Sequence, residues 1–440
     1  MMSIRIKRIP AITLPFLVMI GALLSGCQTF PRPMPEQLHK VEERAYVPTH
    51  EFSLPEHQEM VGALAVIKSH ADDTLPGIAR HYGLGFNDIV TANPGIDAWA
   101  PAPGSRVLLP LQFILPDAPK KGVVLNRATM RLFYYPKNNP QRVLTYPVGI
   151  GRDGWETPTG RTRIVAKNAK PTWTPPASVR REHAAKGDPL PRVVPAGPDN
   201  PLGLYAMRLG FSGYLIHGTN KPYGVGMQIS HGCVRLYPED IETLFGQAAV
   251  GTPVTIMDQP YLTAWHYGTL YLEAHEPLQA GERERARLKA QVLKRLQTRA
   301  EEAAVSVDWN KVEEIIRRAD GIPRPVLTRS PSVAESTNDV LLLAHPGRFY
   351  GQPEIQTLAP DQWSIPVAAF NDEIDAKRLA AMLSHQGPPI PARYMRQNES
   401  YLVVAGPFKD GKEARSVSKR IRLDFDLETE PKAPGTVMIN

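Results

Sequence analysis

Short β-forming runs between Gly122 and Gln259 are the feature that most limits how this chain can fold. Each run is only a few residues long, is rich in branched and aromatic residues, and is bounded by glycine or proline. The clearest examples are Val123-Val124-Leu125, Met130 to Tyr135, Val143 to Val148, Thr162 to Val165, Tyr214 to His217 and Val254 to Ile256. Short strands at turn-punctuated intervals predict a β-sandwich or barrel.

The whole chain is longer than one such domain requires. Its 440 residues leave room for about three domains, and 42% of the residues are hydrophobic, which argues against disorder throughout. Proline contributes 44 residues, so extended connections between modules are expected. The net charge of +7 is weak evidence for a nucleic-acid partner, because Arg5, Lys7 and Arg8 belong to a leader segment. No nucleic-acid partner is predicted.

The N-terminus has the pattern of a secretory signal. Basic residues precede an apolar run from Ile9 to Leu24, which is shorter than the about 20 residues of a membrane-spanning helix. The run ends in Leu24-Ser25-Gly26-Cys27, which resembles the lipobox of bacterial lipoproteins. This resemblance implies a lipoprotein signal peptide over 1–26 and a lipidated Cys27; an ordinary cleaved signal is the alternative.

The residue after Cys27 is glutamine and not aspartate, which by the same resemblance favours the outer membrane. We therefore expect the protein in the cell envelope, on the periplasmic face of the outer membrane. Residues 27–62 are rich in Pro, Glu and His without an apolar period, and predict a tether.

A small strand-helix-helix-strand module is expected over 63–110. Asp73 or Thr74 would cap a first helix that carries its apolar residues on one face, and a second helix would stop at Asn93-Pro94. This spacing resembles LysM, a module that binds the N-acetylglucosamine-containing glycan of cell walls. Asp72 stands where that family usually has glycine, and a module that only packs against the next domain is the alternative.

A proline-rich stretch from Lys170 to Asn200 interrupts the β-rich domain. Because proline lacks an amide donor, this stretch predicts neither an ordinary strand nor an ordinary helix. A long irregular insertion in a compact domain is typically a lid or a binding loop.

The C-terminal part of the chain divides into three segments. Residues 277–320 predict a helical extension, since charges of both signs surround an apolar stripe, and 321–361 predict a linker. Residues 362–432 predict a β-α-β-β-α-β sheet, and the pattern ending in Gly406-Pro407-Phe408 resembles SPOR, a domain that binds glycan strands stripped of peptide stems. Pro366 departs from that family, so a packing or partner-docking domain is the alternative. Truncation after Asp339 is expected to leave the chemistry intact.

The chemistry centres on Cys233, the cysteine that remains once Cys27 is lipidated. His217 lies 16 positions before it and His231 two positions before it. A free thiol has a pKa of about 8.5, so its use as a nucleophile requires a neighbouring base, and either histidine is a candidate. A helix beginning at Pro238 would place Cys233 just before a helix start, where amides and the helix dipole favour a thiolate or an oxyanion.

Three interpretations of this cluster compete. A buried, inert cysteine does not account for the glycines beside the Ser230-His231 pair. Zinc held by His217, His231 and Cys233 has compatible donor atoms but lacks a second cysteine and the usual spacing. Nucleophilic catalysis accounts best for the pattern, with no metal and no cofactor.

The sequence resembles the YkuD-type L,D-transpeptidases of bacterial cell walls, and within them the ErfK-like members. The resemblance rests on Gly149-Ile150-Gly151, Thr157-Pro158-Thr159-Gly160, the proline-rich insertion, and the segment from His217-Gly218 to Ser230-His231-Gly232-Cys233-Val234-Arg235. It implies an L,D-transpeptidase β-sandwich over 120–259. The expected fold is therefore multidomain, with a mainly β catalytic core, an α+β LysM module and an α+β ferredoxin-like SPOR module.

The resemblance also implies roles for individual residues. Cys233 is the acylated nucleophile and His217 its base, oriented by the backbone carbonyl of Gly218. Ser230, His231 and Gly232 shape the turn before the cysteine. Arg235 pairs with a carboxylate of the substrate or, as the alternative, forms a structural salt bridge, and Tyr223 in the glycine-rich turn is assigned to substrate binding.

The implied reaction begins with attack of the thiol on the diaminopimelate–D-Ala bond of a peptidoglycan tetrapeptide stem. D-Ala leaves, and an amine then takes the acyl group, which gives a wall cross-link or anchors a lipoprotein. The expected partners are stem peptides, glycan strands, a possible lipoprotein acceptor and the outer membrane. The alternatives are a thiol hydrolase that trims peptidoglycan or detaches an anchored lipoprotein, and a non-catalytic peptidoglycan-binding scaffold.

Overall fold

The computed structural model describes residues 46–385 and 387–435. The expected signal peptide, Cys27 and the first part of the tether lie outside these residues. Within them, no helix is both long and apolar enough to cross a membrane.

The first described segment contains the strand-helix-helix-strand order expected over 63–110. Its elements are β1 (Glu51–Ser53), β2 (Met60–Gly62), β3 (Ala65–Lys68), α1 (Leu75–His81), α2 (Phe86–Ala92), β4 (Arg106–Leu109) and β5 (Gln112–Ile114). Strands β3 and β4 pair antiparallel. The Thr74 side chain caps α1 by accepting the Gly77 amide at 3.0 Å, and the apolar face of α1 is buried.

The β-rich segment folds into a mainly β domain, as the sequence predicted. Its elements are β6 (Gly122–Asn126), β7 (Arg131–Tyr135), β8 (Arg142–Pro147), β9 (Ile150–Gly151), β10 (Gly160–Ala169), α3 (Ala177–Ala185), β11 (Tyr205–Leu209), β12 (Leu215–His217), β13 (Gln228–Ser230), β14 (Val234–Arg235), α4 (Pro238–Gln247) and β15 (Pro253–Met257). Among the described residues, a nine-stranded sheet has the order β1-β8-β7-β6-β15-β10-β11-β12-β14, and β9 pairs with β13.

Strands β6 to β8 are buried on both faces of this sheet. Val124 and Phe133 belong to a core shared with the N-terminal module, whereas Val123 and Leu132 belong to the core under α4. Alternate residues of a strand point to opposite faces, so burial on both sides requires apolar residues at every position. This explains why these strands are nearly continuous apolar runs in the sequence.

The helix α3 corrects one expectation for the proline-rich insertion. It forms between Pro176, which lies at its N-cap, and Asp188, in the part of the insertion that contains no proline. Proline is tolerated at a helix start because the amide it lacks would have no partner there. The composition of the whole stretch concealed this proline-free interval.

The expected tether and linker are also more ordered than their composition indicated. Strand β1 pairs with β8 and β2 pairs with β5, so the residues from 51 onward belong to the folded unit. In the segment expected as a linker, Val333, Leu343 and Phe349 are buried. These residues pack into neighbouring cores and are spaced without a helical or strand period, so no periodic pattern marks them in the sequence.

The segment after the β-rich domain contains the helical extension expected over 277–320, which consists of two helices, and a preceding β-hairpin that the sequence did not reveal. Its elements are β16 (Tyr261–His266), β17 (Thr269–Ala274), α5 (Glu282–Glu302), α6 (Trp309–Arg318), β18 (Arg324–Pro325) and, further on, β19 (Leu341–Leu342), which pairs with β3. Val292, Leu296 and Ala300 form the buried stripe of α5.

The C-terminal module has the first five elements of the expected β-α-β-β-α-β order. They are β20 (Trp363–Phe370), α7 (Glu373–His385), β21 (Ala392–Gln397), β22 (Ser400–Phe408) and α8 (Gly411–Phe425), and in the described ranges the sheet has the order β20-β22-β21. The expected last strand is reduced to a single bridge between Ser364 and Lys432. Pro366 lies on β20, beside a register shift, where a missing amide donor is tolerated.

Candidate active site

Two neighbouring strands bring His217 and Cys233 to one region of the large sheet. Strands β12 and β14 are parallel, with Ile216 opposite Val234 and His217 opposite Arg235. Cys233 immediately precedes β14, so the alternation of side chains places it on the same face as His217 and Arg235. The charge of Arg235 acts on the pKa of both groups, which agrees with this proximity.

His217 is held by the backbone and is almost completely buried, at 3% exposure. Its Nδ1 lies 2.6 Å from the carbonyl oxygen of Gly218. Because a carbonyl can only accept, Nδ1 carries the proton, and Nε2 is left as the basic nitrogen. Burial, reinforced by Arg235, lowers the pKa of His217 to about 3, and hydrogen bonds to the backbone of Gly218 and Leu202 oppose this shift. The imidazole is therefore neutral at pH 7.

The Cys233 thiol is partly exposed, and its Sγ lies 3.9 Å from the carbonyl oxygen of Gly213. Burial raises the pKa of Cys233, whereas a hydrogen bond to the Leu215 backbone and the charge of Arg235 lower it. The net direction is upward, so the resting thiol is protonated at neutral pH.

The helix expected next to Cys233 begins too late to act on the sulfur. Strand β14 separates the cysteine from α4, which starts at Pro238. The field of a helix terminus falls off within its first turn, so the dipole argument made from the sequence does not hold here. A strand and not a helix presents the thiol.

The turn before Cys233 is fixed by hydrogen bonds. The Ser230 hydroxyl accepts the amide of Gly232 at 3.1 Å and donates to the Cys233 carbonyl at 2.6 Å. The buried Thr157 hydroxyl donates to the Gly232 carbonyl at 2.8 Å and accepts the Gly151 amide at 3.0 Å. Thr157 belongs to the Thr157-Pro158-Thr159-Gly160 motif, but the sequence pattern alone does not indicate this role.

Gly232 is required by the geometry of this turn. Its φ is +102°, and a Cβ built there would lie 2.8 Å from the Tyr214 ring. An L residue is strained at that φ, and the ring blocks the space that a side chain would need. The Gly-Cys pair is thus a backbone requirement as well as a sequence motif.

His231 points to the proline-rich insertion. Its Nε2 lies 2.9 Å from Glu182 Oε2 on α3, and Arg152 Nη2 lies 2.6 Å from the same carboxylate oxygen. The Trp155 ring contacts the imidazole edge-on at 5.0 Å between centroids. No group of three or more potential ligands that could hold a metal ion occurs in the described ranges, so His217, His231 and Cys233 do not form one.

Sequence reasoning missed Glu182. It lies 49 positions before His231, within the proline-rich insertion, and no spacing rule relates the two residues. Hydrogen bonds from His231, Arg152 and Lys186 hold the pKa of the Glu182 carboxyl well below its usual range. Glu182 is therefore a permanent anion that joins the insertion to the turn before Cys233.

Arg235 is partly buried, and no ion pair of its side chain, and hence no structural salt bridge, occurs among the described residues. Its Nε is buried and has no hydrogen-bond partner in the part of the chain that the structure describes. Burial lowers its pKa, and Cys233 and Tyr223 lie close enough to oppose that shift. Arg235 and Tyr223 thus lie beside the thiol, where a ligand carboxylate would complete the hydrogen bonding of the guanidinium.

Comparison with known proteins agrees with this geometry. The profile of the L,D-transpeptidase catalytic domain (YkuD) matches residues 120–256, and that of the SPOR domain matches 359–426. Probable L,D-transpeptidase ErfK/SrfK of Escherichia coli strain K12 is 42% identical over 274 residues, which cover 61% of this chain and 88% of that protein.

Two further relatives come from the same strain. Probable L,D-transpeptidase YbiS is 45% identical over 236 residues, covering 52% of this chain and 76% of the relative. Probable L,D-transpeptidase YcfS is 47% identical over 210 residues, covering 47% of this chain and 65% of the relative. The chain belongs to the L,D-transpeptidase family, is an L,D-transpeptidase, and carries a SPOR domain at its C-terminal end.

Proposed function

We propose that Cys233 is the nucleophile of this L,D-transpeptidase and His217 its general base. The observation that carries the proposal is the parallel pairing of β12 with β14, which places both side chains on one face of the sheet. The proton on His217 Nδ1 faces the Gly218 carbonyl, so Nε2 is the nitrogen that accepts a proton. Gly218 is thus the residue that orients the base.

The resting state determines how attack occurs. The thiol and the imidazole are both neutral at pH 7, so the proton moves from Sγ to Nε2 as the sulfur attacks and no preformed ion pair is needed. The sulfur attacks the diaminopimelate carbonyl that precedes the terminal D-Ala of a tetrapeptide stem. The carbon–nitrogen bond then breaks, His217 returns the proton to the departing amine, and D-Ala leaves a thioester on Cys233.

The second half of the reaction resolves this thioester. An incoming amine loses a proton to His217 Nε2 and attacks the acyl carbon, and the proton returns to the sulfur as the carbon–sulfur bond breaks. A diaminopimelate side chain as acceptor gives a wall cross-link, and a lysine of a lipoprotein gives an anchored protein. Neither half requires a cofactor or a metal.

Ser230, His231 and Gly232 maintain the turn that presents Cys233, and backbone amides near the cysteine stabilise the oxyanion. Arg235 binds a carboxylate of the stem peptide, since its Nε is buried and otherwise unpartnered in the described structure. Tyr223, close to Arg235, lines the same side of the substrate site.

The other modules are proposed to keep the enzyme at the wall. The module over 63–110 acts as a LysM and the one over 362–432 as a ferredoxin-like SPOR domain, and both bind glycan strands. Lipidation of Cys27 anchors the chain on the periplasmic face of the outer membrane. The strand-helix-helix-strand order and the matched SPOR profile support these assignments.

Purified residues 28 to 440, incubated with tetrapeptide muropeptides, test the chemistry. We expect release of D-Ala, a cross-linked dimer, and a mass increase on the protein equal to the acyl group. Cys233→Ala should lose all three, because no other thiol is available among these residues. Equal D-Ala release by Cys233→Ala would overturn the proposal. Release of D-Ala that yields only the shortened, hydrolysed stem and no cross-linked dimer would identify water as the acceptor.

A further inference from the structure

The loop over 218–227, here called the clamp loop, connects His217 to the strand that leads to Cys233. It leaves β12 directly after His217, makes a 3₁₀ turn at Pro222–Gly224, and enters β13. It also carries Tyr223. The positions of the base and of one wall of the substrate site therefore depend on how this loop is held.

The N-terminal module holds the far end of the clamp loop. At the start of α2, the amide of Phe86 donates to the Val225 carbonyl at 2.9 Å, and the amide of Asn87 donates to the Gly226 carbonyl at 3.3 Å. The first amides of a helix have no partner within it, so the loop carbonyls satisfy donors that would otherwise be unpaired. The approach is close, because a Cβ on Gly226 would lie 2.4 Å from the Cα of Gly85.

The C-terminal module holds the near end. A Cβ built on Gly387, which follows α7, would lie 1.7 Å from the Asn220 carbonyl oxygen. Lys221 Nζ lies 3.5 Å from Asp424 Oδ1 on α8. The loop residues in these two contacts lie three and four positions after His217. A module attached by a flexible linker would make neither contact.

From these contacts we infer that the C-terminal module positions the clamp loop, and through it His217 and Tyr223, for acylation. Gly387, Asp424 and Lys221 are positioning residues, since none of them lies among the groups that exchange protons or bonds. The inference rests on the proposed function, because it takes His217 as the base and Tyr223 as part of the substrate site. It also reverses the expectation that the chemistry is independent of the C-terminal module.

Charge reversal in the full chain tests this inference. Asp424→Lys and Lys221→Asp should each lower kcat for D-Ala release about three- to tenfold, since an ion pair of this exposure is weak but lies close to the base. The double variant Lys221→Asp/Asp424→Lys should recover most of the lost kcat. Gly387→Ala should lower kcat about tenfold or more, because its Cβ requires the Asn220 backbone to move.

The control is Glu313→Lys, which reverses an ion pair with Lys289 in the helical extension, far along the chain from the clamp loop. It should leave kcat unchanged. Thermal unfolding of every variant is measured alongside, and a kcat loss that recovers in the double variant at unchanged Tm supports positioning. Unchanged kcat in Asp424→Lys and Gly387→Ala, or a loss that the double variant does not recover, overturns the inference.

The proposed function fails separately. If Cys233→Ala retains D-Ala release, the assignment of the nucleophile is wrong whatever the clamp-loop variants do. If Cys233→Ala is inactive and the clamp-loop variants have the same kcat for D-Ala release as the unsubstituted chain, only the positioning role is overturned.

Discussion

The two histidines near Cys233 occupy opposite environments. His217 is 3% exposed, lies on a strand of the main sheet and has its Nδ1 on a backbone carbonyl. His231 is partly exposed, lies in the turn before the thiol and contacts Glu182 and Arg152. In both cases desolvation is the largest influence and lowers the pKa, so both imidazoles favour the neutral form.

The two imidazole rings differ in whether they are free to accept a proton and pass it on. His217 has no carboxylate partner in the described structure, so in the proposed mechanism a proton taken from the thiol remains available to the leaving amine. His231 faces an anion that Arg152 and Lys186 also hold, and its Nε2 proton is engaged in that contact. Residue type alone therefore does not distinguish the proposed base from a histidine that holds two segments together. The hydrogen-bond partner and the burial of the ring distinguish them.

Exchanging each ring for glutamine gives the largest contrast between them. His217→Gln removes the proton acceptor and should lower kcat about 10³-fold, within the range of general acid–base catalysis, whereas His231→Gln keeps a donor to Glu182 and should cost about tenfold or less. The measurement is D-Ala release at saturating muropeptide, with Tm as the control for folding. A larger loss of kcat in His231→Gln than in His217→Gln would mean that His231, and not His217, is the base.

The sequence predicted the elements of this site better than its arrangement. The β-rich runs and the Thr74 cap, which the structure confirms, follow from local patterns that a single sequence contains. The nucleophilic interpretation of Cys233 follows from a local pattern as well and stays a prediction. That His217 is the histidine on the neighbouring strand depends on the β12–β14 register, which is a long-range property. The family resemblance, and not the spacing, is what favoured His217 over His231.

Other features could not be predicted because their partners are distant in the chain. Glu182 meets His231 only after the insertion folds back, and Gly387 meets Asn220 only after the C-terminal module docks. Strand β1 was hidden in a proline-rich, charged segment, since three residues are too few to show a period. Local sequence patterns predicted the modules as separate units. They did not indicate the contacts through which the modules pack against one another.

The acid sensitivity of folding gives a second, smaller contrast. The folded-state pKa of His217, about 3, lies below the ordinary value of 6.5, so below pH 6.5 the unfolded chain binds a proton that the folded chain excludes. The contribution of His217 to stability is therefore complete above pH 6.5 and is lost as the pH falls toward 3. Between pH 6.5 and 4.5 the loss should be on the order of 2 kcal/mol.

Urea unfolding of the unchanged chain, His217→Gln and His231→Gln over this pH range measures that contribution. The slope of the unfolding free energy against pH should be smaller in His217→Gln than in the unchanged chain, because glutamine takes up no proton. His231→Gln should retain nearly the full slope, since its ring is closer to solvent. Equal slopes in the unchanged chain and His217→Gln would mean that the imidazole is not held neutral by burial.

The smallest effect concerns the contact between the insertion and the turn. Glu182→Gln keeps the shape of the side chain but removes the charge that Arg152, Lys186 and His231 share. Because the carboxylate is near the surface, we expect only about a threefold fall in kcat/KM for tetrapeptide, weakening further as salt screens the same cluster. The matched control is Glu242→Gln, which neutralises a carboxylate on α4 that contacts Tyr205 instead. An equal fall in both variants would assign the effect to net charge, whereas a fall confined to Glu182→Gln would assign it to the contact between the insertion and the turn before Cys233.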